Sequence, residues 1–571
     1  MTKIVQENQL VKSLRDSDFD RYSAYGEIFD NSIQANAKNI KTKIAYKSEK
    51  KGNKNYELID LIAFGDDGNG MNIETIEKCL VLGFSERYGD RKGIGRFGVG
   101  FTLGSLHECK NIEVYSKTIN TEWHQVSFEV ADDSEEQKEI TPPKKKQPPS
   151  DLIDLAGKDS GTIVVWRNLD KQLGEQASHI IEETKIWTGR TYRTFIKSGV
   201  VFTVNGENVY SIDPLYIDTE TTKFPNDPKA YEYKEIIIED WPIDENLDLS
   251  NYNKADTQIK IRLSLLPEDF RKKSGDGGKS ESTKRYIDRN EGISILRNGR
   301  EVFYGIPPFW PQGGVSFIEG RTPWNRWWGC EVLFNAVHDR SFQVKNIKRG
   351  AVPVLELKKL INHKISPTIK TAIDSVRETW AKNDAQEELE KQESGVSTEH
   401  DEAENIVKNT PGSKMKIVEG KTEEEIIKNR ENIVGNIIKQ NQAAWETKFA
   451  AQPFTIVPSE WQGKHFLESA YTREGAVMKY NQRHLFHQTI NEIKVDLEKT
   501  SVEDKDAIVE VAKKLNTMID LLLISYTKAE GDFSSDSFTK VTPEEVVEEL
   551  RMNWGTYLDR YLKKWKQSSD N

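Results

Sequence analysis

The 571-residue chain is poor in cysteine and contains no long hydrophobic run. Its three cysteines, Cys79, Cys109 and Cys330, form no Cys-X-X-Cys pair, which argues against zinc ribbons and against a disulfide framework. The strongest apolar patch, 518–526, is shorter than the roughly 20 residues of a membrane span. No basic segment followed by an apolar one opens the sequence, so no secretory signal is predicted. We therefore expect a cytoplasmic protein without membrane contact.

An excess of positive charge is also missing. Lysine and arginine number 81, aspartate and glutamate number 92, and the formal net charge is −11. Proteins that bind nucleic acid usually carry a basic patch or have a high pI, so the bulk charge does not indicate such a binder. Because net charge averages over domains, a local basic groove stays open as an alternative.

Periodicity and composition divide the chain into four expected regions, and the predicted fold class is α+β. The first region, 1–198, alternates helix and strand patterns, and its charged stretch at 131–158 is interpreted as a solvated loop. A β-rich α/β region, a charged linker and a mainly helical region follow at 199–382, 383–420 and 421–571. The second region has strand candidates at 200–204, 258–265, 292–296 and 330–334, and a predicted helix at 354–381.

A polar stripe marks the first predicted helix, which is capped by Ser17 or Asp18. At 100° per residue, one side of this helix carries Glu27, Asp30, Asn31 and Gln34. The other sides are apolar enough for burial. Taken alone, the stripe fits a surface helix whose polar face meets water as well as it fits a buried helix that carries chemistry.

Two glycine-containing loops follow. The first, 66–71, reads Asp-Asp-Gly-Asn-Gly-Met and by itself is typical of a β-turn. The second, 93–101, contains four glycines, which let backbone N–H groups approach phosphates closely. It matches Gly-X-Gly-X-X-Gly, but no strand leads directly into it, and no Walker lysine motif occurs in the sequence.

These motifs, together with Gly161-Thr162 at the head of a predicted strand, resemble the GHKL superfamily in their order and spacing. That superfamily includes gyrase B, MutL, the large heat-shock chaperones, histidine kinases and MORC proteins. The resemblance covers roughly 15–170. It implies a Bergerat α/β sandwich, in which helices cover one face of a mixed sheet, and an ATPase that uses ATP and Mg²⁺.

The resemblance also implies a role for each motif residue. Glu27 matches the general base that activates the attacking water, Asn31 the magnesium ligand, and Asp66 the carboxylate that accepts a hydrogen bond from the adenine amino group. Thr162 matches the hydroxyl that supports this adenine contact, whereas Gln34 departs from the Asp often found at its position. The remaining matches are the adenine-side turn, with Gly68, Gly70 and Met71, and the phosphate loop, with Gly93, Gly95, Gly98, Val99, Gly100 and Phe101.

The second region resembles the transducer domain of prokaryotic MORC-like and MutL-like ATPases at 292–300 and at 327–350. This resemblance implies that Lys348 contacts the γ-phosphate and acts in catalysis; Lys345 is the alternative, and so is a merely solvated basic loop. The segment 321–328 interleaves aromatic and basic residues. Such a mixture stacks on nucleic-acid bases in some proteins and packs a domain junction in others.

An ATP domain near the N-terminus disfavours a histidine kinase and favours a nucleotide-gated dimeric clamp. In this hypothesis, ATP binding brings the N-terminal domains of a homodimer together, in a bacterial DNA-related or phage-defence system. DNA and defence-system proteins are then the expected partners. Two alternatives stay open: a chaperone-like ATPase that acts on protein clients, and an ATP-sensing scaffold of a defence complex.

Overall fold

The computed structural model describes most of the chain and divides it into two compact units. The first comprises Met1–Pro267, Ser280–Ile318 and Asn325–Ala372, and the second comprises Glu268–Lys279, Glu319–Trp324 and Ile373–Asn571. Apart from single positions and runs of two to four residues between 404 and 522, the residues described are 7–16, 19–51, 54–84, 99–131, 139–171, 175–244, 252–273, 275–305, 325–344, 350–393, 454–471, 476–499 and 543–569.

A mixed sheet of eight described strands forms the centre of the first unit. Its spatial order is β5-β4-β3-β6-β2-β1-β7-β8, and every neighbouring pair is antiparallel except β1 and β7. The strands are β1 (Asn39–Lys51), β2 (Lys54–Asp66), β3 (Asn111–Lys117), β4 (His124–Glu129), β5 (Lys144–Lys145), β6 (Gly161–Arg167), β7 (Val201–Val204) and β8 (Glu207–Asn208).

Helices cover one face of this sheet. They are α1 (Glu7–Arg15), α2 (Arg21–Gln34), α3 (Ile73–Lys78), α4 (Gly100–Glu108), α5 (Ala177–Thr191) and α6 (Arg193–Lys197). The core between helices and strands is aromatic: Phe29 of α2 contacts Phe64, Tyr192 and Phe202 edge to face. The predicted α/β sandwich is therefore present, and α2 begins after an N-cap at Asp20, not at Ser17 or Asp18.

The opposite face of the sheet is covered in part by the stretch that we interpreted as a solvated loop. Leu152 within 131–158 is fully buried against Leu61, Ile163 and Val165, and Leu155 packs beside it. The interpretation is therefore wrong for this part of the stretch. The charged residues that the structure describes in this stretch, all between 139 and 158, are exposed, whereas its two leucines shield apolar side chains of β2 and β6.

A second sheet lies in the same unit and has the order β10-β11-β14-β12-β13, with β9 paired to β11. Of the strand pairs described in this sheet, β12 with β14 is parallel and the others are antiparallel. Its strands are β9 (Tyr231–Glu232), β10 (Ile236–Ile238), β11 (Ile259–Leu265), β12 (Ile293–Arg297), β13 (Arg300–Gly305) and β14 (Trp328–Phe334), with a short helix α7 (Ser280–Lys284) between them.

Two expected region boundaries need correction. Strands β7 and β8 complete the first sheet, so that sheet continues past residue 198, because β7 pairs in parallel with β1. The long helix α8 (Leu355–Glu393) continues past the expected linker start at 383. Nearly all of the rest of the expected linker lies outside the described residues.

The second unit contains the end of α8, a three-stranded sheet and two further described helices. The sheet order is β15-β17-β16, and these elements are β15 (Phe454–Ser459), β16 (Leu467–Tyr471), β17 (Ala476–Asn481), α9 (Leu485–Lys499) and α10 (Pro543–Ser569). The sheet is an addition to the mainly helical region that we expected. Among the described residues of the chain, no helix is both long and apolar enough to cross a membrane.

Replacing Phe202 with Ala should test whether β7 belongs to the first sheet. The Phe202 side chain is 2% exposed and packs against the rings of Phe29 and Tyr192. We expect the free energy of unfolding to fall by about 3–5 kcal/mol in chemical denaturation. Val201→Ala is the matched control, because Val201 is 43% exposed on the same strand; we expect a loss of about 1 kcal/mol or less. Equal losses would contradict the placement.

Candidate functional site

The polar stripe of α2 is only partly turned to water. The side chains of Glu27 and Asp30 are buried, at 7% and 0% exposure, whereas Asn31 is exposed. Helix α2 is anchored at its start by Asp20, whose side chain accepts a hydrogen bond of 2.7 Å from the Ser23 amide. A surface helix is therefore the wrong interpretation for Glu27 and Asp30. Both carboxylates are held inside the protein, and Asn31 lies at the boundary with solvent.

Asp66 ends β2 with its carboxylate buried and hydrogen-bonded on both oxygens. The Ser32 hydroxyl of α2 donates to Oδ2 at 2.9 Å, and the Gly68 amide donates to Oδ1 at 2.9 Å. Burial raises the pKa of Asp66 from 3.8 to about 6, although the hydrogen bonds from Gly68 and Ser32 oppose that rise. The carboxylate is therefore ionised at neutral pH but gains a proton in mild acid.

Asp67 locks the turn that carries Asp66. Burial alone would raise the pKa of Asp67, but hydrogen bonds from Asn39 and Lys38 lower this pKa below its ordinary value. Its carboxylate accepts from the amides of Lys38 and Asn39 at 2.7 and 2.8 Å and from the Asn39 side chain at 2.6 Å. The two neighbouring acids thus differ in role: Asp67 closes the turn onto the start of β1, and Asp66 points inward.

A small hydroxyl network supports the other side of Asp66. Thr162 pairs with Asp66 across β2 and β6, and its hydroxyl lies 2.9 Å from that of Ser116 on β3. The Ser116 hydroxyl also accepts from the Met71 amide at 2.8 Å. The structure therefore brings Asp66, Met71 and Thr162 together and adds Ser32 and Ser116 to them. No sequence signal marked these two serines, because only the strand register and the rotation of α2 bring them here.

Two glycines of the site lie close against neighbouring groups, and at Gly70 the backbone requires glycine. Gly70 has a φ of +69°, and a Cβ there would lie 1.9 Å from the carbonyl oxygen of Lys117. At the first residue of α4, a Cβ on Gly100 would lie 2.1 Å from Oε2 of Glu27. The N-terminus of α4 is thus packed onto the Glu27 carboxylate, an arrangement that the helix dipole favours.

Ser32 and Glu27 define the extent of the site along α2. They are five residues apart, which corresponds to roughly 7.5 Å along the helix axis. Asp66 lies at the Ser32 end, Gly100 lies at the Glu27 end, and Val99 and Phe101 flank Gly100 half-buried. Two buried carboxylates thus lie near one helix, Asp66 with Gly68 beside it and Glu27 with Gly100 beside it.

Several expected site residues lie outside the described part of the structure. They are Gly93, Gly95 and Gly98 of the glycine-rich loop, and Lys345 and Lys348 of the second region. Within the residues described, no group of three or more His, Cys, Asp or Glu side chains is arranged to hold a metal ion.

The described part of the aromatic and basic segment, 325–328, is packed inside the protein. Trp327 and Trp328 are buried, and Arg326 forms an ion pair of 2.9 Å with Glu291. This burial favours packing over stacking on nucleic-acid bases for these residues.

Comparison with known proteins agrees with the geometry. Residues 21–162 match the family model described as "Histidine kinase-, DNA gyrase B-, and HSP90-like ATPase". The match begins at the first residue of α2 and ends at Thr162 of β6, so it contains Glu27, Asn31, Asp66, Gly100 and Thr162 but not Lys345 or Lys348. No curated protein matches the chain.

The raised pKa of Asp66 predicts how stability changes with pH. Between pH 3.8 and about 6 the folded protein binds more protons than the unfolded chain, so ionisation of Asp66 lowers the free energy of unfolding as pH rises, by up to about 3 kcal/mol. Asp66→Asn should remove this dependence in chemical denaturation at pH 4 and pH 7 without nucleotide.

Asp67→Asn is the control. Because the pKa of Asp67 is lower in the folded protein than in the unfolded chain, its carboxylate stabilises the fold at pH values above the unfolded pKa, and this contribution is lost in acid. This variant should lose stability at pH 7. If Asp66→Asn and the wild type change equally between the two pH values, the assigned burial of Asp66 is wrong.

Proposed function

We propose that this chain binds ATP and hydrolyses it, with residues 21–162, an ATPase domain of the histidine kinase, DNA gyrase B and HSP90-like type, as the catalytic part. The observation that carries the proposal is the pair of buried carboxylates at the two ends of one helix-lined site. Asp66 lies at one end, and Glu27 lies against the first residue of α4 at the other.

Asp66 is proposed to select adenine. The exocyclic amino group of adenine is a hydrogen-bond donor, and a buried carboxylate that is ionised at neutral pH is a strong acceptor for it. Ser32 and Gly68 hold this carboxylate in place, and the Thr162 hydroxyl lies on the neighbouring strand. A base with a carbonyl in place of the amino group would meet two acceptors facing each other, so we expect discrimination against guanine.

Glu27 is proposed to act as the general base. A carboxylate within reach of a water accepts its proton as the water attacks the terminal phosphate. Asn31 lies one helical turn away on the same stripe and is exposed. The residues present fit Mg²⁺, because this ion takes few protein ligands beside phosphate and water, and Asn31 would hold it. When bound, Mg²⁺ neutralises charge on the phosphates.

The remaining roles concern the phosphates. We propose that Gly93, Gly95, Gly98 and Gly100 form the loop over the phosphates, and that Lys348, or Lys345 in its place, contacts the γ-phosphate. Gly100 supports the first assignment, since its backbone already lies against Glu27.

A nucleotide-gated clamp is the proposed use of this activity. Helix α1 is joined to α4 through Arg15, whose side chain donates to the Leu106 carbonyl at 3.0 Å and pairs with Asp170 at 2.5 Å. Because α4 begins against Glu27, a movement of α4 at the phosphate end of the site is passed to helix α1 through the Arg15 contact. We propose that this path lets ATP bring two N-terminal domains together.

Glu27→Gln should separate hydrolysis from binding. The amide keeps the size of the side chain but does not accept the proton, so we expect phosphate release to fall by about 100-fold or more while ATP binding stays within about threefold of wild type. Asp66→Ala should instead abolish ATP binding in calorimetry. Equal phosphate release by wild type and Glu27→Gln would sink the proposed activity.

The clamp is tested by molecular mass. A non-hydrolysable ATP analogue with Mg²⁺ should double the mass of the wild type in multi-angle light scattering, and Asp66→Ala, which does not bind nucleotide, should remain unchanged. An unchanged wild-type mass at saturating analogue would contradict the clamp while leaving the ATPase activity intact.

A further inference from the structure

A buried arginine of the second sheet reaches the helix that carries Glu27. Arg300 is the first residue of β13 and is 2% exposed. Its Nε lies 3.0 Å from Oδ1 of Asp30 and donates a hydrogen bond of 3.3 Å to the Tyr192 hydroxyl. The Tyr192 hydroxyl in turn donates to the same Asp30 oxygen at 2.7 Å. One carboxylate of α2 is therefore held from two directions, by α5–α6 and by the second sheet.

The backbone of α2 is adapted to this arginine. A Cβ on Gly26 would lie 2.4 Å from Nη2 of Arg300 and 3.3 Å from the Trp187 ring. The guanidinium thus packs directly on the backbone of the residue before Glu27. Such a contact opposes rotation of α2 about its axis, and it is this rotation that decides where the Glu27 carboxylate points.

The charge of Arg300 acts on both buried carboxylates of α2. Burial alone would lower the pKa of Arg300, but the attraction of Asp30, Tyr192 and Glu27 raises it above its ordinary value. A buried ion pair needs such partners because removal of charges from water costs several kcal/mol per ion. Arg300 therefore interacts electrostatically with Glu27 and not with Asp30 alone.

The same strand also holds the end of the basic segment that contains Lys345 and Lys348. The Gly350 amide, directly after that segment, donates to the Val302 carbonyl of β13 at 3.1 Å. Val302 is two residues from Arg300. One strand thus connects the helix that carries the proposed general base with the segment that carries the proposed γ-phosphate lysine.

We propose that Arg300 is a positioning residue for hydrolysis: it fixes the rotation of α2, and with it the Glu27 carboxylate, so that catalysis depends on the position of the second sheet. This inference rests on the proposed ATPase function. Asp30 and Tyr192 transmit the effect, and Arg300 itself contacts neither ATP nor water in this role.

Arg300→Met tests the proposal, and Arg297→Met is its matched control. Arg297 lies opposite Arg300 in the β12–β13 hairpin and is equally buried. Its ion pair of 2.6 Å is with Asp339, which belongs to the second-sheet region and not to α2. We expect Arg300→Met to lower kcat by between about 10-fold and 100-fold, with the Kd for ATP changed by less than about threefold. Arg297→Met should lower the melting temperature but leave kcat per folded protein within about twofold of wild type.

Two further variants separate positioning from stability. Asp30→Asn combined with Arg300→Met removes both charges, so stability should return toward wild type while kcat stays low. Arg300→Lys should have a higher kcat than Arg300→Met, because lysine keeps the positive charge although it lacks the planar fork of arginine. A wild-type kcat in Arg300→Met, or recovery of kcat together with stability in the double variant, would overturn the proposal. Equal phosphate release by wild type and Glu27→Gln would instead overturn the underlying ATPase function.

Discussion

Helix α2 carries two carboxylates into the interior of the protein, and much of the surrounding structure satisfies this constraint. A buried charge without partners costs several kcal/mol, so each carboxylate needs nearby groups that compensate it. Asp30 has Tyr192 and Arg300, and Glu27 has the start of α4 and the attraction of Arg300. These partners come from regions far apart in sequence, and they hold α2 at one rotation.

The rotation of α2 also determines the opposite end of the site. Ser32 lies on the same helix and donates to Asp66, so the angle that buries Glu27 also brings a hydroxyl to the end of β2. Asp67 then closes the turn onto β1, which leaves Asp66 pointing inward. The raised pKa of Asp66 follows from this burial. The two ends of the site are thus coupled through one rigid helix.

Local chemistry indicated the candidate site residues, whereas the extent of the sheets could not be predicted from the sequence. Taken alone, the acidic and glycine-rich turn at 66–71 and the stripe on α2 each have a second interpretation, and it is their order and spacing together that indicated a site. Strand β7, in contrast, is a short apolar run that suits either sheet, and only its parallel pairing with β1 assigns it to the first. The burial of Leu152 could not be predicted from its charged stretch, because two leucines that cover a sheet face produce no periodic pattern.

The sequence by itself determined which residue types make up the candidate site, namely carboxylates, an amide and glycines, and residues 21–162, which contain them, match one family model. Only the tertiary structure decided which polar groups support them. Ser32, Ser116, Tyr192 and Arg300 carry no local signal, because a supporting hydrogen bond or ion pair depends on distance in space and not on spacing along the chain. Arg300 reaches Asp30 across 270 positions of sequence, and the packing of the second sheet against α2 alone brings them to 3.0 Å.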